Sequence, residues 1–475
     1  MSADAILASG PNWIHGTPEN PIMDLAAETG TILHSWGDRQ SGFDEQGHTI
    51  PLTEVSEISD IFWGVIADAM FYSYKHCSAI SSSISLMDFV EQAASDKWTN
   101  EPPEEAKRKR NLLFREAEMW GAFVGSPIQK QSLKFFWLEE CIEGENPFVA
   151  DTFKKILERV AEPALSKAQI KLQHNVTAVV SDESGDCVTV QTSNGYKEIF
   201  DEVIVTVPLG WLQRNKAVFD PALPSRLSKA IDSIGYGCLD KVYITFPTAF
   251  WDQPQDLGEG MPDGDHRQSV PNANATNSPL NLTSTGFSTP LTNHYPGFTH
   301  WLKPSYAIFK NPQRWNQQSL NLAALPSSCA HPTLLFYIFG ECATHVAHLV
   351  STTPASSVDA RLTDFFRPYF SLLPNYSSTN PICVPKAVLA TTWANDEFAG
   401  YGSYSNFQVG LENGDEDIEC MREGLPDRHV WLAGEHTAPF AALGMVTGAW
   451  WSGQEVAKRI VETYGLTEGD HGQVE

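Results

Sequence analysis

Residues 429–460 read HVWLAGEHTAPFAALGMVTGAWWSGQEVAKRI. The apolar run Val430 to Leu432, stopped by Gly434, reads as a short buried strand, and the glycine- and proline-bearing stretch after it reads as a loop. From Val446 the residues Ala449, Ser452, Gly453, Val456, Ala457 and Ile460 recur on one helical face, which predicts a helix able to approach a neighbour closely. A strand, a loop and a helix in this order belong to an α/β unit. The first turn of such a helix carries unpaired N–H groups and partial positive charge, so it can hold the electron-rich edge of a ligand. From the pattern alone, an ordinary packing unit is the simpler reading.

Working outward, the segments IKLQHNVTAVV (170–180), CVTVQTSNGYKEIF (187–200) and VIVTVP (203–208) read as three neighbouring strands, with Asn194-Gly195 as a hairpin turn. Further strands are predicted at KVYITF (241–246) and LLFYIF (334–339). Asn20 to Gly30 predicts a short helix with Asn20 as its cap, Pro21 at its first position and Gly30 as its stop. Residues near 55–160 are helical by period, Ile61, Phe62, Val65, Ile66, Met70 and Phe71 forming one stripe. Residues 252–300 are rich in Pro, Gly, Asn, Ser and Thr and read as a mobile surface insertion. Blocks of helix and strand alternate without repeats, which predicts an α/β or mixed α+β architecture with interleaved domains.

Composition narrows the function classes. The chain has 475 residues, 42% of them apolar, enough for more than one core. No apolar run approaches the ~18 residues of a membrane span, so no membrane partner is expected. Acidic residues outnumber basic ones 58 to 32, giving a formal charge of −26, which disfavours binding to nucleic acid and favours a cationic partner. The eight cysteines form no CxxC pair and no cluster with histidine at ligand spacing, so neither a metal site nor a disulfide framework is expected, and a reducing, cytoplasmic location is.

Four ordered stretches carry a resemblance. The 429–460 segment resembles the C-terminal cofactor signature of flavin-containing amine oxidases. VIVTVPLGWL (203–212), FDPALP (219–224) and GYGCLDKVYITFPTAFW (235–251) resemble the middle of the same family. PNWIHGTPENPIMDLA (11–26) is similar to the substrate-side loop of its polyamine oxidase branch, and WANDEFAGYGSYSNF (393–407) to its aromatic segment. The resemblance implies a two-domain α/β fold. An FAD-binding domain would be assembled from residues 1–30, 151–235 and 410–475, and a substrate domain of mixed sheet and helices from 31–150 and 236–409.

For single residues the resemblance implies that Glu435 contacts the sugar-phosphate part of FAD and that Val446 faces the flavin ring. Val176 would offer its backbone to the adenine, and Thr206 and Pro208 would line the same cleft. Lys241 would hold a water against the flavin, where desolvation would depress its pKa. His15, near its unperturbed pKa, would bind or help deprotonate the amine. Tyr404, Trp393 and Phe398 would form an aromatic wall that attracts an amine and excludes water. Met445 stands where relatives often carry Tyr or Thr just before the flavin-facing residue, which leaves it beside the substrate.

The resemblance also expects a strand, a GxGxxG turn and a helix ahead of Trp13, where only about ten residues stand. No equivalent turn is found elsewhere, Gly235-Tyr236-Gly237 preceding a strand and not a helix. The FAD domain therefore reads as incomplete, with the diphosphate lacking its backbone cradle. The implied reaction is oxidation of a polyamine such as spermine, spermidine or an acetylated form, with oxygen as second substrate and hydrogen peroxide as product, by a monomer. The competing readings are a histone-lysine demethylase and an inactive relative that serves as a scaffold.

Overall fold

A computed structural model of the chain describes residues 7–37, 39–182, 187–252 and 294–465. Its largest sheet has seven strands in the order Ala387–Ala390, Leu239–Thr245, Thr333–Phe339, Gln317–Asn321, Phe298–Trp301, Gln40–Phe43 and Thr49–Ile50. All neighbours are antiparallel except Phe298–Trp301, which runs parallel to Gln40–Phe43. Residues 298–300, expected in the surface insertion, are thus part of this sheet, and residues 253–293 of that insertion lie outside the described residues.

Strand alternation gives the sheet two different faces. Val242, Ile244, Phe336, Ile338 and Trp301 pack with Phe365, Phe366 and Tyr369 of helix Val358–Phe370 in one aromatic core. The opposite face presents Tyr243, Leu335 and Tyr337 to Trp36 and Phe148. The register sets Lys241 against Tyr337, Tyr337 against Gln318 and Gln318 against His300. These four side chains therefore share that second face.

The expected helical layer consists of Leu52–His76, Leu86–Ala94 and Pro103–Glu118. Phe62, Val65 and Ile66 of the predicted stripe are buried there, packed with Val90 and Leu113, whereas Phe71 is mostly exposed. Ser85 and Asp88 close a reciprocal capping box on the second of these helices.

The second half of the fold joins a four-stranded sheet, ordered Lys197–Phe200, Val188–Thr192, Val176–Ser181 and Phe219–Asp220, to a parallel pair of strands, Val203–Val205 and Val430–Leu432. The hairpin at Asn194-Gly195 is present, with Gly195 at φ +84° and the Asn194 carboxamide accepting from the Tyr196 N–H. Helix Val446–Thr463 returns from the parallel pair and packs Val456 on Trp431. Only part of its small-residue face is used. Ser452 and Val456 are buried, while Ala449, Gly453 and Ala457 stay exposed.

Candidate active site

The N-terminal loop lies between the second face of the large sheet and the C-terminal helix. Its backbone carbonyls meet the sheet: the Lys241 Nζ donates to the Gly10 carbonyl, and the Tyr243 hydroxyl donates to the Ala8 carbonyl at 2.6 Å. Its side chains do the same, since Tyr337 donates to Asn12 Oδ1 at 2.9 Å and receives the Trp13 indole N–H at 3.1 Å. Ile14 then packs into a small core with Ile22, Val149 and Val446. The loop that carries His15 and the helix start at Val446 thus pack on one small core.

Lys241 is buried in mid-strand, and desolvation lowers its pKa to about 7 against the opposing attraction of Asp240. A lysine on a strand would ordinarily keep its ammonium solvated, so this burial marks the residue as special. Asp240 points to the other face, where its carboxylate accepts from the Thr391 hydroxyl at 2.6 Å, the Trp393 N–H at 2.8 Å and the Ala394 N–H at 3.2 Å. Adjacent residues thus serve two purposes. One faces the site, and the other fixes the turn Trp393–Asn395 that carries an expected wall residue.

His15 departs from expectation. Burial drives its pKa down to about 4, although a hydrogen bond to the Asn146 side chain opposes the shift. At neutral pH it is an uncharged imidazole, able to accept or donate a hydrogen bond but a poor proton acceptor. Desolvation, invisible in the local sequence, outweighs the loop's polarity.

Glu435 is held by a neighbouring segment. Its carboxylate accepts from the Ser405 N–H at 3.0 Å and from the Ser405 hydroxyl at 2.6 Å, and burial pushes its pKa up to about 7. In this structure it ties the Gly434 loop to the segment carrying Tyr404. A second half-buried carboxyl, Glu139, is likewise raised to about 7 by burial and then by Glu435, and its buried Oε1 has no partner among the described residues. The sequence reading missed Glu139, which sits in an apolar run with no motif to flag it. Tyr404, half-buried, donates to the Phe123 carbonyl, and burial together with Glu139 and Glu435 raises its pKa. A Cβ on Gly444 would lie 3.6 Å from the Tyr404 ring, which puts that ring beside the residue preceding Met445.

The remaining expected residues are dispersed. Trp393 is half-buried in its turn, whereas Phe398 is 55% exposed and closes no wall in this structure. Val176 opens the strand Val176–Ser181, half-buried opposite Thr192. Thr206, exposed, and Pro208, half-buried, follow the C-terminal end of Val203–Val205, next to the end of Val430–Leu432 and the Gly434 loop. Carboxyl ends of parallel strands are where α/β sheets open a ligand crevice.

The flavin end of a cofactor site has a matching donor set. Helix Val446–Thr463 begins without a side-chain cap, so its first backbone N–H groups face a half-buried Met445-Val446 corner and can meet an electron-rich carbonyl edge. Val446, Lys241 and the backbone of the Gly434 loop would hold that end. For the diphosphate end, the described residues contain no glycine-rich turn leading from a strand into a helix. No group of His, Cys, Asp and Glu able to hold a metal occurs among the described residues, and no helix among them is long and apolar enough to cross a membrane.

The chain matches the family described as flavin containing amine oxidoreductase over residues 2–302 and 313–461. Similar proteins include the probable polyamine oxidase 4 of Arabidopsis thaliana, 26% identical over 269 residues that make up 53% of this chain and 51% of that protein. Another is the lysine-specific histone demethylase 1B of Mus musculus, 24% identical over 250 residues, 52% of this chain and 29% of that protein. The chain thus aligns with about half the length, or less, of these curated relatives. The solved cyclohexylamine oxidase from Brevibacterium oxydans IH-35A shares the fold, with a TM-score of 0.64 at 15% identity, covering 98% of this chain and 90% of that one. The chain belongs to the flavin containing amine oxidoreductase family, and the cofactor this family membership implies is FAD.

Proposed function

We propose that the protein oxidises a polyamine, spermine, spermidine or an N-acetylated form, to an aldehyde and a shorter amine. The observation that carries this reading is the buried Lys241 with a pKa near 7, on the sheet face that also meets the His15 loop. Bound FAD would supply the two-electron oxidation at the carbon beside the amine nitrogen, with oxygen as the electron acceptor and hydrogen peroxide as its product, and water would split the resulting imine into the aldehyde and the shorter amine. The chain's residues bind, orient and dry the site. Lys241, whose pKa burial brings close to neutrality, can take up or release a proton at Nζ without a large free-energy step. Neutral His15 can accept a hydrogen bond from a substrate ammonium remote from the reacting carbon. A formal charge of −26 draws polycations toward the protein.

The polyamine oxidases among the relatives support the substrate class, and the histone demethylases keep a methylated lysine side chain as the second reading. The test is peroxide release by the FAD-loaded protein on spermine, spermidine, their acetyl derivatives, a simple monoamine and a methyl-lysine peptide. Turnover confined to the peptide, or absent on every amine with flavin bound, overturns the proposal.

A further inference from the structure

We propose that Asn20 is a positioning residue that locks the His15 loop to the first turn of helix Val446–Thr463, so that the substrate edge and the flavin edge of the site hold one fixed spacing. The inference rests on the reading above that these two segments border the reacting cleft.

The Asn20 side chain uses all of its hydrogen-bonding capacity. Nδ2 donates to the His15 carbonyl at 3.0 Å and to the Gly16 carbonyl at 2.8 Å. Oδ1 accepts from the Ile22 N–H at 3.0 Å and from the Thr447 hydroxyl at 3.0 Å. A carboxamide offers two donors and two lone pairs, so none is left over. The orientation of the amide is also fixed. Turning it over would set the NH₂ against the Ile22 N–H and the oxygen against two carbonyls.

A helix cap alone does not need this arrangement. Capping helix Pro21–Glu28 requires only an oxygen facing the Ile22 N–H, which Ser or Asp supplies as well as Asn. Only a carboxamide can also donate to two carbonyls while accepting from Thr447. The residue is 1% exposed and Thr447 is 2% exposed, so no solvent would replace a lost partner. The loop it grips is already narrowly defined. Gly16 has φ +76°, a Cβ there would lie 2.4 Å from the Ile142 carbonyl, and its N–H is held by Asn146 Oδ1 at 2.9 Å. Asn146 is also the side chain that opposes the fall of the His15 pKa. One short network therefore sets the His15 backbone and the start of the flavin-side helix together.

The test uses hydrogen exchange on the full chain, with and without FAD, in Asn20→Ser, Asn20→Asp and Thr447→Val. Asn20→Ser and Asn20→Asp keep a capping oxygen and lose the NH₂ group that reaches both carbonyls. Both should speed exchange about tenfold in segments 13–17 and 444–449 together, while residues 22–28 stay protected. Thr447→Val cuts the same link from the helix side and should loosen both segments without touching the cap, which keeps the question answerable if an Asn20 variant fails to fold. Faster exchange confined to residues 22–28, or no coupled change in the two segments, would overturn the clamp. Under the proposed function the KM for spermine should rise more than kcat falls. Coupled exchange with an unchanged KM would leave the clamp standing and sink the assignment of these segments to the substrate site.

Discussion

Lys241 stands directly across the sheet register from Tyr337, and its Nζ lies 5.8 Å from the centre of that ring. The Tyr337 hydroxyl is committed to Asn12 and Trp13, so the phenol is held rigidly beside the ammonium. The lysine is thereby kept in a dry corner by groups that cannot neutralise it. Lys241→Met preserves the stem's volume and removes the titrating nitrogen. Peroxide release on spermine should fall at least about tenfold while the bound flavin keeps its visible spectrum. Unchanged turnover would reduce Lys241 to a buried structural residue.

The same burial makes a pH prediction for stability. The Lys241 pKa is about 7 in the folded chain against 10.5 for an ordinary lysine, so between these pH values the unfolded chain binds more protons. Stability contributed by this group therefore rises with pH from 7 to 10.5, by up to ~1.4 kcal/mol per unit. Glu435 acts in the opposite sense. Its folded pKa of about 7 exceeds the 4.5 of an ordinary glutamate, so its contribution is intact below 4.5 and is lost as pH rises through 7. Denaturant melts at pH 6, 8 and 9.5 check both. Lys241→Met should flatten the upper window, and Glu435→Gln should gain stability relative to the parent at pH 8. A parent-like pH slope in both variants would contradict the burial argument.

The sequence carried the architecture further than it carried the chemistry. Strand and helix positions from Val176 to Val205 and from Val430 to Thr463 follow from short-range patterns, because apolar period and turn residues act locally. The state of His15 depends on Asn146 and on burial by distant segments, and the engagement of Glu435 depends on Ser405, 30 residues earlier. Such pairings arise only when the chain closes on itself. Asn20 shows the boundary well, since its cap role is readable from Asn-Pro before a helix, whereas its bond to Thr447 spans 427 positions. Phe398 shows the reverse, an aromatic residue in a suggestive segment whose ring is left at the surface.

For His15, the neutral imidazole predicts selectivity and not general catalysis. His15→Ala should weaken use of spermine more than of a simple monoamine, because the lost partner meets a nitrogen remote from the reacting carbon. Binding energy from remote groups can appear in kcat as well as in KM, so the comparison is made on kcat/KM. An equal loss on both substrates would place His15 at the reacting carbon and contradict this role.

Two glycines of helix Val446–Thr463 give a paired test of how closely the flavin-side helix must approach its loop. A Cβ on Gly448 would lie 1.9 Å from the Ala442 carbonyl oxygen and 2.7 Å from the Ala438 Cβ, so backbone would have to move. At Gly453, one face round, nothing lies within 4 Å. Alanine gains about 1 kcal/mol over glycine inside a helix, and only the crowded position opposes that gain, by about 1–3 kcal/mol of overpacking strain. Gly453→Ala should therefore raise the melting temperature, and Gly448→Ala should lower it and displace the first turn that carries Val446. If the helix end holds the flavin, Gly448→Ala should also weaken FAD binding in a fluorescence titration, while Gly453→Ala leaves it unchanged. Equal stabilisation by both alanines would show that the helix start has room to spare, and that its close contact with residues 438–442 does not set the position of Val446.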